Sequence, residues 1–182
     1  MRTHFSGIVA TLMLASLGFS QSQDTLKKHT HIPVSAAPGP VTNAEAAATF
    51  GRVAGLFRTI LHVSIPPHGR VSSPDAPITR SDVIEELTRY YKYAVPAFTI
   101  TLKSVKVDYP RLRLDKPALR SDLVLLIEKG CVSKYGVLAT GSVKTIGVHD
   151  FGDTVGFFLA RIAEMTHTPS TKWTPYLHGD QA

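Results

Sequence analysis

The hexapeptide PITRSD at 77–82 has the composition of a helix start, and the chain carries it in three versions. We name them opening 1 (PVTNAE, 40–45), opening 2 (PITRSD, 77–82) and opening 3 (TIGVHD, 145–150), and each precedes an apolar run at helical spacing. In opening 2, Thr79 can accept a hydrogen bond from a first-turn N–H while the carboxylate of Asp82 reaches back. A hexapeptide that recurs in this way predicts repeated helical units.

Apolar periodicity predicts four main helices. They are expected at about 44–62, 80–93, 116–130 and 149–165. Residues 97–107 instead alternate apolar and polar side chains, which predicts one short extended or β segment. The expected fold class is therefore mainly α, a helical-repeat bundle with a single extended stretch.

Both ends of the chain are predicted to lie outside this bundle. Residues 1–22 combine an arginine, an apolar run and small residues near a cleavage point, which is typical of a secretory signal peptide. Residues 23–39 are polar and then rich in proline and alanine, which predicts a flexible leader. The helical domain is expected over 40–168, with a polar C-terminal tail at 169–182. These segments predict an exported protein of the cell envelope or the extracellular space.

Charge and cysteine content narrow the function classes. The formal net charge is +6, so an exported chain would attract anionic polymers, although the same charge can serve solubility alone. Export disfavours nucleic acid as a partner, and no later segment is long and apolar enough to span a membrane. Cys131 is the only cysteine, which excludes an intramolecular disulfide and predicts a buried, unreactive thiol.

Residues 106–165 follow a recognisable order. An Asp-Tyr-Pro turn leads to a helix that ends in Glu-Lys-Gly-Cys-Val, and a glycine-bearing loop then leads to opening 3 and a long apolar helix. This order resembles the S-layer homology repeat of bacterial envelope proteins, and the likeness extends over about 40–166. The resemblance implies a pseudo-threefold helical bundle that holds proteins non-covalently to cell-wall polysaccharide.

The resemblance also implies which residues bind that polysaccharide. Arg80 matches the arginine of the family's helix-opening phrase, and Asp108 matches the aspartate that opens the unit. Tyr91 and Tyr93 are candidate sugar platforms, because sugar-binding sites use exposed aromatic faces. The structural alternatives are a salt bridge from Arg80 to a nearby carboxylate and core packing for Tyr91. A basic run over 111–120 faces either an anionic polymer or solvent.

Three functions stay open at this point. The first is a non-catalytic module that binds anionic cell-wall or envelope polysaccharide, with no cofactor and no metal. The second is a secreted or periplasmic scaffold, which is structural or binds envelope proteins and has lost the polysaccharide site. This alternative is favoured by Asn43 and Val148, which stand at the arginine position in openings 1 and 3. The third is a secreted hydrolase built around His149, although the chain lacks a nucleophile elbow and a zinc motif.

Overall fold

The structure is a computed structural model that describes residues 39–67 and 73–173. The predicted signal peptide and nearly all of the predicted leader lie outside the described residues, as does 174–182. The described part is mainly helical and contains no β-sheet. Its α-helices are α1 (Asn43–Leu56), α2 (Arg80–Ala94), α3 (Arg120–Glu128), α4 (Val137–Thr140) and α5 (Val148–Met165). None of these helices is long and apolar enough to cross a lipid bilayer.

The four predicted helices are confirmed as α1, α2, α3 and α5. Helix α1 continues as a π-helical turn, Phe57–Leu61, and stops at His62, whose φ of 57° is left-handed. A 3-10 turn, Pro117–Leu119, precedes α3. The short helix α4 was not predicted, because its single turn lies in a loop that shows no apolar period.

The segment predicted as extended or β at 97–107 forms no β-strand, and after the 3-10 turn Val95–Ala97 it lies outside helices and strands. The N–H groups of Thr99 and Ile100 donate to the carbonyl of Met165 (2.9 and 3.1 Å), and Val105 N–H donates to Glu128 (2.8 Å). These acceptors belong to the last turns of α5 and α3, whose carbonyls have no partner within their own helix. The segment therefore caps two helix ends instead of pairing with a strand. Its apolar side chains at 98, 102 and 105 still pack against the core.

An aromatic cluster joins α1, α2 and α5. The Phe50 ring lies 5.7 Å from the Tyr90 ring and 5.6 Å from the Phe151 ring. The Phe57 ring lies 5.8 Å from Trp173, which is 1% exposed. Trp173, the last residue of the 3-10 turn Ser170–Trp173, belongs to this core although it lies in the predicted polar tail, whereas the other three residues of the turn are exposed.

Candidate functional site

The three openings meet and pair in a closed cycle. Isolated antiparallel bridges form between Thr42 and Pro77, between Thr79 and Thr145, and between Pro40 and Gly147. Each bridge joins the third residue of one opening to the first residue of the next, and opening 3 returns to opening 1. The pairing register is the same in all three bridges, and we call each bridged pair of openings a joint.

The second residue of each opening is buried at the centre of this cycle. Val41, Ile78 and Ile146 are 3%, 6% and 0% exposed. Val41 N–H donates to Ile146 C=O (3.0 Å), and Ile78 N–H donates to Val41 C=O (2.8 Å). Helices α1, α2 and α5 therefore start from one small apolar centre.

Openings 1 and 2 carry complete capping boxes. Glu45 N–H donates to Thr42 Oγ1 (3.2 Å), and backbone and side-chain hydrogen bonds from Thr42 lower the pKa of Glu45. Burial opposes ionisation of Asp82, but hydrogen bonds from Thr79 and Lys116 outweigh it and lower the pKa of Asp82. Opening 3 has Gly147 at the cap position, so α5 starts without a side-chain cap.

Arg80, the expected polysaccharide contact, lies in the interior and is 2% exposed. Its Nη1 donates to the carbonyls of Arg113 and Val137 (both 3.1 Å), and its Nη2 donates to Asp115 Oδ1 (3.1 Å). Gly141 permits this arrangement, because a Cβ there would lie 2.5 Å from the carbonyl oxygen of Val137, which accepts from Arg80, and 3.3 Å from Arg80 Cδ. The expected surface contact by Arg80 therefore needs correction, and the salt-bridge alternative describes the observed geometry.

Asn43 occupies the same place in opening 1 and acts in the same way. Its Nδ2 donates to the carbonyl of Ser73 (2.9 Å), in the loop that precedes opening 2. Arg80 likewise reaches Val137, the first residue of the short helix α4 that precedes opening 3. The position that the resemblance identifies with ligand binding thus links two successive openings in this chain. Val148, the third equivalent, is apolar and 44% exposed.

The remaining predicted site residues are spread over different surroundings. Tyr91 is 7% exposed and packs 5.4 Å from the Phe98 ring, and burial raises its pKa. Tyr91 therefore belongs to the core and offers no sugar platform. Tyr93 is 40% exposed on α2, and no contact in the described ranges joins it to Arg80. Asp108 is half-buried, and its Oδ2 lies 3.1 Å from Arg111 Nε.

A surface groove of about 420 Å³ lies against the loop that Arg80 fixes from inside. We name it the Arg113 groove, and its lining residues are Pro110, Arg111, Arg113, Tyr135 and Thr140. Arg113 is exposed and forms no ion pair among the described residues. Its N–H donates to the carbonyl of Ala139 (2.8 Å), and its own carbonyl accepts from Arg80. Both backbone groups of Arg113, its N–H and its C=O, are therefore fixed by hydrogen bonds.

Aromatic rings and further cations flank the groove residues along the chain. Tyr135 is 62% exposed, and Lys134 Nζ lies 4.9 Å from the centre of its ring. The turn Tyr109–Arg111 carries a second exposed ring, and Arg120 Cζ lies 5.7 Å from it. Lys116, also in the basic run, is instead engaged with Asp82 and Glu85 (3.3 and 3.0 Å). Within the basic run, Lys116 and Arg111 are therefore each paired with a carboxylate, whereas Arg113 forms no ion pair in the described part of the chain.

Sequence reasoning singled out the basic run but missed Tyr135. The spacing of Arg113 and Tyr135 along the chain gives no sign of contact, because α3 and a loop separate them. The only available signal was the exposed Lys-Tyr pair at 134–135, which is weak by itself. The groove can bind an anion through guanidinium groups and pack an apolar face on an aromatic ring.

No protein-family model, curated protein or solved structure matches this chain. The described residues contain no group of three histidine, cysteine or acidic side chains placed to hold a metal ion. His149 is exposed in the first turn of α5, and no contact in the described ranges joins it to a serine or a carboxylate. The candidate site therefore rests on its own geometry.

Proposed function

We propose that this chain is an exported, non-catalytic module that binds anionic cell-wall or envelope polysaccharide, and that the Arg113 groove makes the contact. The observation that carries the proposal is the exposed guanidinium of Arg113, which has no ion pair among the described residues and stands on a fixed backbone. A guanidinium forms two parallel hydrogen bonds with a carboxylate, which gives both energy and orientation. The neighbouring ring of Tyr135 offers an apolar face to a sugar.

The cyclic arrangement of the openings supports the same proposal. Three helix starts that pair in one register are what pseudo-threefold repeats of the S-layer homology kind would produce. Fold alone does not determine function, so this point supports the scaffold and the groove supports the binding. The net charge is +6 for the full sequence and +5 without the predicted signal peptide, which holds Arg2 and no acidic residue, and it would add long-range attraction to a polyanion.

The test is co-sedimentation of the purified protein with cell-wall sacculi over a salt series. We expect Arg113→Ala to weaken binding about ten-fold, since a hydrogen bond to a charged group contributes about 1.5–3 kcal/mol. Added salt should weaken the wild type as well. Arg58→Ala is the matched control, because Arg58 is exposed on the turn after α1 and has no ion pair within the described ranges. Equal losses in both variants, or no binding by the wild type, would contradict the proposal.

A second candidate is a scaffold that binds an envelope protein and has no polysaccharide site. The internal use of Arg80 and Asn43 favours it, because both residues serve the joints between openings. Crosslinking in intact cells distinguishes the two candidates. Recovery of one protein partner, together with equal binding to sacculi by the wild type and Arg113→Ala, would favour the scaffold.

A further inference from the structure

We propose that the carboxylate of Asp108, paired with Arg111, lowers the affinity of the Arg113 groove for a polyanion. This inference rests on the proposed function and deepens it. The resemblance gives Asp108 the opposite role, that of a residue that contacts the polysaccharide. The two roles predict changes of opposite sign when the charge of Asp108 is removed.

The local backbone places Asp108 against one arginine of the groove. Asp108 precedes the 3-10 turn Tyr109–Arg111, and the N–H of Arg111 donates to the carbonyl of Asp108 (3.1 Å). This turn brings the two side chains together, with Asp108 Oδ2 3.1 Å from Arg111 Nε. The carboxylate makes no helix-capping bond, so its interaction in the described residues is with Arg111. A negative charge thus stands at the rim of a groove that is otherwise basic.

The two arginines of the groove therefore differ. Arg113 has no ion pair in the described ranges, whereas the guanidinium of Arg111 has a carboxylate 3.1 Å from its Nε. An anion bound to Arg111 also feels repulsion from Asp108. A ligand with one negative charge gains most from Arg113 alone. A polysaccharide with carboxylates on neighbouring sugars can engage both arginines and offset the repulsion.

Solvent exposure sets the size of the effect. The side chains of Arg111 and Asp108 are 65% and 38% exposed, so water and salt screen the pair. Exposed ion pairs contribute little, and the affinity change from removing the carboxylate should be about two- to five-fold. The carboxylate of Asp108 thus weakens the binding of a polyanion without abolishing it.

Isothermal titration with polygalacturonate tests the proposal. Asp108→Asn keeps the shape and a hydrogen-bond acceptor but removes the charge, and we expect about two- to five-fold tighter binding. Asp108→Ala should bind more tightly as well. The control is Asp153→Asn, which makes the same change in net charge at an exposed position on α5 and should leave affinity unchanged. Thermal unfolding of each variant confirms that it is folded.

The outcomes separate this inference from the proposed function. Weaker binding by both Asp108 variants makes Asp108 a ligand contact and overturns the inference while the groove stands. Unchanged binding, or an equal gain in Asp153→Asn, overturns it too, because the effect would then be absent or general. Wild type that fails to bind, or Arg113→Ala that binds like wild type, overturns the proposed function and the inference with it.

Discussion

Replacing Arg80 by alanine should lower the free energy of unfolding by about 3 kcal/mol. The side chain of Arg80 is 3% exposed and that of its partner Asp115 is 25% exposed. Removing one member of a buried ion pair costs about 3–5 kcal/mol, because the other charge is left without compensation. The value falls at the lower end here, since Asp115 can regain some water and the carbonyl of Val137 keeps its bond from Gly141 N–H (2.9 Å).

Urea unfolding followed by circular dichroism measures this change. Arg80→Lys should also destabilise, because one ammonium cannot reproduce the planar fork that serves two carbonyls and a carboxylate. Arg58→Ala serves again as the exposed control and should stay within about 0.5 kcal/mol of wild type. A double-mutant cycle with Asp115→Ala isolates the coupling between the two charges.

A loss below about 1 kcal/mol for Arg80→Ala would refute this reasoning. It would mean that the buried pair with Asp115 does not form in solution. The guanidinium would then be available at the surface, and the original expectation of a direct ligand contact would return. Stability and sacculi binding measured on the same variant therefore decide between the two roles of Arg80.

Three further predictions concern positions where local geometry is unusual. Gly147→Thr should stabilise the protein by about 0.5–1 kcal/mol in urea unfolding, because φ −78° and ψ 160° suit a capping threonine that would pair with Asp150. Gly130→Ala should destabilise it by at least about 1 kcal/mol, because φ is +70° and the new Cβ would lie 2.8 Å from Arg161 Nε. Burial raises the pKa of Cys131 from 9.0 to about 12, so the unfolded chain loses this proton first as pH rises. The urea concentration at the midpoint of unfolding should therefore decrease as the pH is raised from about 9 to about 12, and Cys131→Ala should make that decrease smaller.

Local sequence signals predicted the helices well because their causes are local. The capping boxes of Thr42 and Thr79 and the apolar stripes behind them lie within a few residues, and both boxes are present in the structure. The recurrence of the openings predicted copies of a unit. It did not show that the copies pair with one another, since backbone bonds such as Ile78 N–H to Val41 C=O depend on tertiary packing.

Two features escaped prediction because distant residues determine them. The alternation over 97–107 is real, but the partners of its backbone are the ends of α3 and α5 and not a strand. A cation at the start of α2 opposes the helix dipole, which indicated either function or an unseen partner for Arg80. That partner is Asp115, in a loop that no local pattern connects with α2.

Openings 1 and 2 differ in the residue that links each of them to the next segment, and the groove lies in the segment between openings 2 and 3. Asn43 is short and reaches one carbonyl at its joint, that of Ser73. Arg80 is long enough to hold the carbonyls of both Arg113 and Val137, and so it fixes the backbone of Arg113 against α4. The buried side chain of Arg80 thereby supports the backbone of a second arginine, Arg113, which is exposed. Under the proposed function, the ligand contact therefore lies in the loop that Arg80 anchors and not at Arg80 itself, the first residue of α2.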